Sequence, residues 1–489
     1  MKKSYLLMLL PFLLVGCNKK VETSVYEFNG KINQETPSTH EFQKANFKDY
    51  QGDLTPTDAN LLTFDLSEDG TYYIVSDNDR HLNTPNLVIP SEYNNLPVKE
   101  IASEAFAYKN WLISVAIPSS ITKIGAGAFN SSALKTVYYD AVEIEELNAK
   151  NWVFYKADAD QSIDIYFGKH VKSVPSRLFF PLATDPSVTC VVNNVYFATD
   201  SVVESIGDYA FYKLSNLTSI SLPSTVKSIG KYAFYESAIT EIDLQNVENV
   251  EDYAFAFSKL SHVKTSANLK TIGEGAFAYN YNLSDVDLRN TQVTVINDFT
   301  FKKCTNLEIA LLSNNVTSIK EEAFSSCQAL RQFYAPAMLK SIGLKAFMDN
   351  TNLKSIYLNK ELVTLEDYAF SNATNLEKLY IDSSKISDLK YGNNVFANVA
   401  KNSKLQVAFL EGVTTIPSNL MFSNASEEQN IKISELVLPK SLKTVKTGAF
   451  YDLEIETIWY LGKEENFEQV DVQAQNDTLD NVSYAIIMK

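Results

Sequence analysis

The sequence is poor in the residues that most catalysis draws on. It holds only four histidines (His40, His81, His170, His262) and four cysteines in 489 positions. No G-x-S-x-G, H-E-x-x-H, Walker loop or G-x-G-x-x-G stands in it, so the common signatures of hydrolase, zinc-protease and nucleotide sites are missing. Cationic residues are outnumbered, 43 Lys and Arg against 59 Asp and Glu, and the net charge is −16. No basic face or tail stands out, which argues against a nucleic-acid partner, because phosphate contacts need clustered cations. There is no Cys-x-x-Cys and no His-rich spacing, so neither a zinc site nor any other metal or cofactor is expected. Past the first sixteen residues no long apolar run exists, and the reading is of a chain that does not span a membrane.

What is present begins with the N-terminus. Lys2-Lys3 precedes an apolar stretch from Leu6 to Val15, too short for a span, which ends in Leu14-Val15-Gly16-Cys17. That end resembles the bacterial lipobox. It predicts a signal peptide over 1–16, a diacylglyceryl group on Cys17, and a mature protein anchored at the outer side of a membrane. From Asn18 to about Asn60 the residues are polar without strand or helix period, and 17–60 reads as lipidated cysteine plus tether.

The body is periodic. Leu217 to Phe234 reads L-x-x-I-x-L-P, a spacer, then V-x-x-I-G-x-x-A-F, and the pattern returns at Leu330–Phe347, Leu353–Phe370 and, more loosely, Ile433–Phe450. Its closing phenylalanines (Phe211, 234, 255, 277, 301, 324, 347, 370) are spaced by 23, 21, 22, 24, 23, 23 and 23 residues. Such a period, headed by L-x-x-[LI]-x-L, predicts a leucine-rich-repeat solenoid in which each unit buries its apolar face only against its neighbours. The expected fold is mainly β with short helical or turn segments, in a single elongated right-handed array. A hairpin signal, Leu61–Leu66 and Thr71–Val75 around Ser67-Glu-Asp-Gly70, predicts an N-terminal cap over 61–95. Repeats fill 96–460, irregular with insertions at 140–205. Val171-Lys-Ser-Val-Pro-Ser and Val413-Thr-Thr-Ile-Pro-Ser make that irregular part degenerate repeats rather than a second domain. The last 29 residues, 461–489, drop the A-F phase and read as a C-terminal cap.

Cys304 and Cys327 share one phase of consecutive repeats, so they would stack roughly 4.8 Å apart. A disulfide fits that distance, but two buried thiols are favoured because small or polar residues recur near the phase. The paired Ile-Gly steps (Ile206-Gly207, Ile229-Gly230, Ile272-Gly273, Ile342-Gly343) read as glycines needed at a tight bend.

Glu68-Asp-Gly-Thr-Tyr-Tyr73, Pro90-Ser, the Ile-Gly-x-x-Ala-Phe repeats and Trp459-Tyr-Leu-Gly-Lys-Glu-Glu together resemble the BspA-like leucine-rich-repeat family. The resemblance covers about residues 61–489 and is specific for the fold. It implies a bacterial surface protein, and in some members adhesion to matrix proteins or other cells.

In L-x-x-I-x-L the first, fourth and sixth residues face the core, and the third and fifth face solvent. The fifth runs Ser221, Asp243, Lys264, Asp287, Leu311, Tyr334, Tyr357, Tyr380, Phe409, Val437, Trp459; the third includes Glu241, His262, Asp285, Ile309, Gln332 and Val407. Leu311, Tyr334, Tyr357, Tyr380, Phe409 and Trp459 are therefore candidate binding residues. They serve either as a contact strip for a protein or glycan or as a stabilising cross-strand ladder. A register slip of one residue in the 307 and 405 coils would turn Leu311 and Phe409 inward. Glu241/Asp243 and Asp285/Asp287 suggest glycosidase carboxylates. The intervening Lys264 instead predicts an ion ladder, Asp243–Lys264–Asp287, and no enzyme is expected. An anchored binding protein is the leading reading, and a structural envelope component the other.

Overall fold

The computed structural model describes residues 34–77, 83–148, 150–155, 162–180, 191–422 and 431–484. The signal peptide and Cys17, His81, Ala157–Asp160 and Cys190 lie outside the described residues. The described residues form two compact units, one within 37–293 and 297–307, the other within 34–36, 294–296 and 308–484.

Each coil has three sides. The L-x-x-I-x-L head supplies one strand in most coils, though that of Leu217 to Leu222 carries none; in the coil of Leu353, Leu353, Ile356 and Leu358 are fully buried while Ser355 and Tyr357 lie on the outer face. The second side is a two-residue strand ending in the isoleucine of Ile-Gly. The third carries the Ala-Phe pair. In the 37–293 unit the first side stacks as parallel strands 86–88, 114–117, 136–139, 163–167 and 192–197, with 241–243 and 262–264 beyond them. Its short ladder runs through Ser173–Val174, Ser205–Ile206, Ser228–Ile229, Asn249–Val250 and Thr271–Ile272. The second unit repeats this with strands 332–334, 355–358, 378–381, 405–409, 432–438, 458–460 and 483–484. Both V-x-x-[IV]-P-S pieces place their central residues, Val174 and Ile416, in short ladders. Within the irregular stretch, 163–167, 173–174, 192–197 and 205–206 keep the strands of the repeat, while 141–148 carries none.

The closing phenylalanines form a buried column. Phe211, Phe234, Phe255, Phe277 and Phe301 stack at centroid distances of 5.1 to 5.6 Å, and Phe324, Phe347, Phe370 and Phe396 stack at 5.1 to 5.7 Å in the second unit. Their backbone alternates in hand. Tyr232 and Glu236 take φ of 55° and 52°, while they and the Phe234 between them donate to Asp252, Ala256 and Ala254 carbonyls of the next coil at 2.7 to 3.0 Å. A left-handed non-glycine residue costs about 1–2 kcal/mol; here the inter-coil hydrogen bonds offset it.

The Ile-Gly glycines have another reason than the expected bend. Gly273 lacks a positive φ, but a Cβ there would stand 2.5 Å from the Asp252 amide nitrogen. Glycine admits the neighbouring coil's backbone. Leu62–Leu66 and Tyr73–Asp77 pair antiparallel, and the latter strand runs parallel to Leu96–Ile101. Ser67 Oγ accepts from the Thr71 and Tyr72 amides, and Gly70 sits at φ 71°, closing the turn. After the last long strand, Glu464–Phe467 forms one helical turn and Ser483–Tyr484 pairs with Trp459–Tyr460.

Candidate binding face

In the second unit the strand face carries part of the aromatic column. Tyr334 is 39% exposed and stacks on Tyr357 at 4.4 Å. Tyr357 donates from its hydroxyl to Asp382 at 3.0 Å, and burial together with the Asp382 charge pushes its phenol upward. Beyond it the column closes. Tyr380 is 3% exposed and packs with Ala408, Val437 and Leu461, while Trp459 lies half-buried against the same cluster.

Phe409 is not on this face. Tyr380 pairs with Ala408, which pairs with Val437, so Phe409 is aligned with Ile381 and lies in the core at 1% exposure. Val407 turns inward with it. The coil of Leu405 begins one residue out of the expected phase, and Ala408 leaves room for Tyr380 and Val437 to close over it. Leu311 is likewise buried, at 2% exposure, but it lines a crevice with Ile309, Gln332 and Tyr334 beneath Gln34 and Glu35. There the Glu35 amide donates to Gln332 Oε1 at 3.2 Å and its carboxylate pairs with Arg331.

The strand face of the other unit holds a second aromatic row that the fifth-position map began too late to include. Tyr138 and Tyr166 are paired in register, and Tyr196 lies 4.9 Å from Tyr166. The signal was in the sequence, as Val137-Tyr-Tyr, Ile165-Tyr-Phe and Val195-Tyr-Phe share one triplet. Burial, aided by Asp140, pushes the Tyr138 phenol up.

The residues read as a tether, 37 to 58, lie across this face. His40 pairs with Glu241 at 2.8 Å and stacks on His262 at 3.7 Å. The amides of Gln43 and Asn46 donate to Glu241 Oε1 (2.7 Å) and Ser221 Oγ (3.0 Å). Lys48 donates its amide to the Phe197 carbonyl and its ammonium to the Tyr166 hydroxyl. Tyr50 stacks on Tyr138 at 5.0 Å, and Thr57 exchanges two hydrogen bonds with Val88.

The expected three-membered ion ladder is only half formed. Lys264 pairs with Asp243 at 2.7 Å, but Asp287 is taken by Arg289 two residues on, at 2.6 Å. Desolvation raises the Asp287 carboxyl, yet the Arg289 hydrogen bonds and charge outweigh it and hold the group below the usual range. A short i, i+2 reach costs Arg289 less ordering than a cross-strand one costs Lys264. A general acid needs the opposite shift. Among the described residues no group of three or more His, Cys, Asp or Glu is placed to hold a metal ion.

Residues 81–183, 189–308, 276–402 and 351–474 match the model of the BspA type leucine rich repeat region. No curated protein matches the chain. Among solved structures, a leucine-rich repeat protein from Bacteroides ovatus is 19% identical, covering 90% of this chain and 100% of its own, with TM-score 0.46. The pneumococcal vaccine antigen PcpA is 17% identical over 89% and 98%, with TM-score 0.40. A leucine rich cell surface protein from Faecalibacterium prausnitzii is 17% identical over 86% and 99%, with TM-score 0.22. With the family model matching well over half its length, this chain belongs to the BspA-type leucine-rich-repeat family.

Proposed function

We propose that this is a lipid-anchored binding protein of the bacterial cell surface, held by Cys17, that engages a protein partner through the strand face of its repeats. The observation that carries this reading is Tyr334, an exposed tyrosine on a strand, backed by stacked Tyr357 and flanked by a small crevice of mixed polar and apolar lining. Rigid aromatic anchors beside a pocket are what interface hot spots are made of. Trp459 belongs to the same face; Tyr380, Phe409 and Leu311 are left out because they are buried. A glycan is the alternative ligand, since aromatic faces also suit sugar rings. The structural-component reading has its own support in the Tyr380–Ala408–Val437–Leu461 cluster, which packs as a ladder should.

The soluble form from Asn18 to Lys489 on an array of matrix proteins and glycans separates these readings. Binding weakened at least tenfold by Tyr334→Ala/Tyr357→Ala, in a variant with unchanged circular dichroism, is the expected result. No binder, or binding indifferent to the pair, would leave the ladder as the column's role. Cys17→Ser should move the full-length protein from the membrane fraction to the soluble one.

A further inference from the structure

The segment from Pro37 to Asp58 is a polypeptide already bound to a strand face, and its manner of binding is informative. It has neither helix nor strand, and its side chains are mostly exposed, with Phe42, Phe47 and Tyr50 half-buried. From His40 to Tyr50 its partners step back through the coils, from Glu241 to Ser221, Phe197, Tyr166 and Tyr138. Four steps of roughly 4.8 Å make about 20 Å, within reach of ten residues at about 3.3 Å each. Main-chain amides find acceptors on the face, and the side chains are sorted by chemistry. The His40 imidazole and the Gln43 amide go to a carboxylate, while the ammonium and the tyrosine go to an aromatic row. Lys48 lies 5.5 and 5.1 Å above the Tyr166 and Tyr196 rings, and Phe42 lies under Lys264 at 5.9 Å.

We propose that the strand face from Tyr138 to His262 is a binding surface for an open peptide segment of another protein, one carrying a basic residue two before an aromatic. Its own residues 37–58 would occupy that surface as a displaceable strap. The proposal rests on the reading of a protein-binding strand face and names the class of partner. Charge agrees with it, because Asp164, Glu241 and Asp243 border the surface of a chain whose net charge is −16. So does the strap's composition, since few apolar groups hold it down. A tethered segment acts at an effective concentration of about millimolar. A strap whose free peptide binds with a dissociation constant of tens of micromolar would therefore be closed in all but a few per cent of molecules. An incoming peptide would bind about ten- to a hundredfold more weakly than to the bare surface.

The test uses a fluorescent synthetic peptide of residues 37–53 and the soluble chain from Asn18. The strap-disarmed variant is His40→Ser/Lys48→Ala/Tyr50→Ala, whose substitutions fall on exposed or half-buried side chains. The peptide should bind this variant at least tenfold more tightly than the unaltered chain. That binding should fall at least tenfold when Lys48 and Tyr50 are replaced in the peptide, or when Tyr138→Ala/Glu241→Gln is added to the variant. Equal binding to both chains, no binding to either, or equal binding of a scrambled peptide would each overturn the proposal. A dimer of the unaltered chain by light scattering, lost on disarming the strap, would overturn it in favour of a second copy as the occupant. Because the peptide is supplied, an empty ligand array would count against the Tyr334 reading and leave this result standing.

Discussion

Three residues past each closing phenylalanine, one buried position shows how much a single side chain can differ in value from coil to coil. Ser258 donates to the Phe234 carbonyl at 2.7 Å, Asn280 to the Phe255 and Phe277 carbonyls at 2.8 and 2.9 Å, and Cys304 to Phe277 at 3.2 Å. Cys327 follows in the same phase; both cysteines are buried, and burial pushes the thiol of Cys304 up to about 12. Asn350 holds the same position fully buried, yet its amide nitrogen and oxygen find no partner. An unsatisfied buried amide costs free energy, whereas a satisfied one is missed when removed. Asn280→Ala should therefore destabilise the protein by about 1–3 kcal/mol, while Asn350→Ala should be neutral within about 1 kcal/mol or stabilising. Urea unfolding of the two variants decides it; equal losses would mean that cavity volume governs both sites.

At the scale of the coil, the stacked phenylalanine and the alternating backbone beneath it act together. Phe255 is fully buried between Phe234 and Phe277, with ring planes within 4° of parallel on both sides. Truncating it removes two ring contacts and opens a cavity that the hydrogen-bonded turns cannot collapse into. Phe255→Ala should cost about 3–5 kcal/mol. Tyr232 also stacks on both neighbours, at 5.0 and 5.2 Å, but on the solvent side of the same turn. Tyr232→Ala should cost about 1–3 kcal/mol, the worth of two aromatic pairs. Thermal unfolding midpoints would rank the two, and a larger loss at Tyr232 would place the stabilising column on the surface.

At the scale of the molecule, buried tyrosines shape the response to high pH. Burial raises the phenols of Tyr138, Tyr139, Tyr253, Tyr357 and Tyr460 above their ordinary value of 10.0. A group whose folded pKa is raised contributes stability that is complete below its unfolded pKa and lost as pH climbs toward the folded one. Stability should hold up to about pH 10 and then fall with each of these groups in step. Phenolate absorbance followed alongside circular dichroism would show late-titrating tyrosines ionising together with loss of the β signal. If all phenols titrate near 10 while the fold persists, burial is not what holds them neutral.

The sequence by itself determined the coil. Its period of about 23 residues, its Leu-Ile-Leu head and its Ala-Phe close each specify a buried contact with the same residue one repeat away, and a contact that recurs in sequence is legible in sequence. The phenylalanine column, the buried thiols and the strand face were readable for that reason, as was most of the register. Only the tertiary structure decided what does not repeat. Ala408 rather than Phe409 faces outward because the coil of Leu405 enters late by one residue, and in a strand one residue is a change of side. Asp287 turned to Arg289, two positions away, where the repeat offered Lys264. The polar stretch from 37 to 58 lies on a strand face because single contacts, such as His40 on Glu241 and Tyr50 on Tyr138, join residues some ninety to two hundred positions apart. No periodicity announces a contact made once.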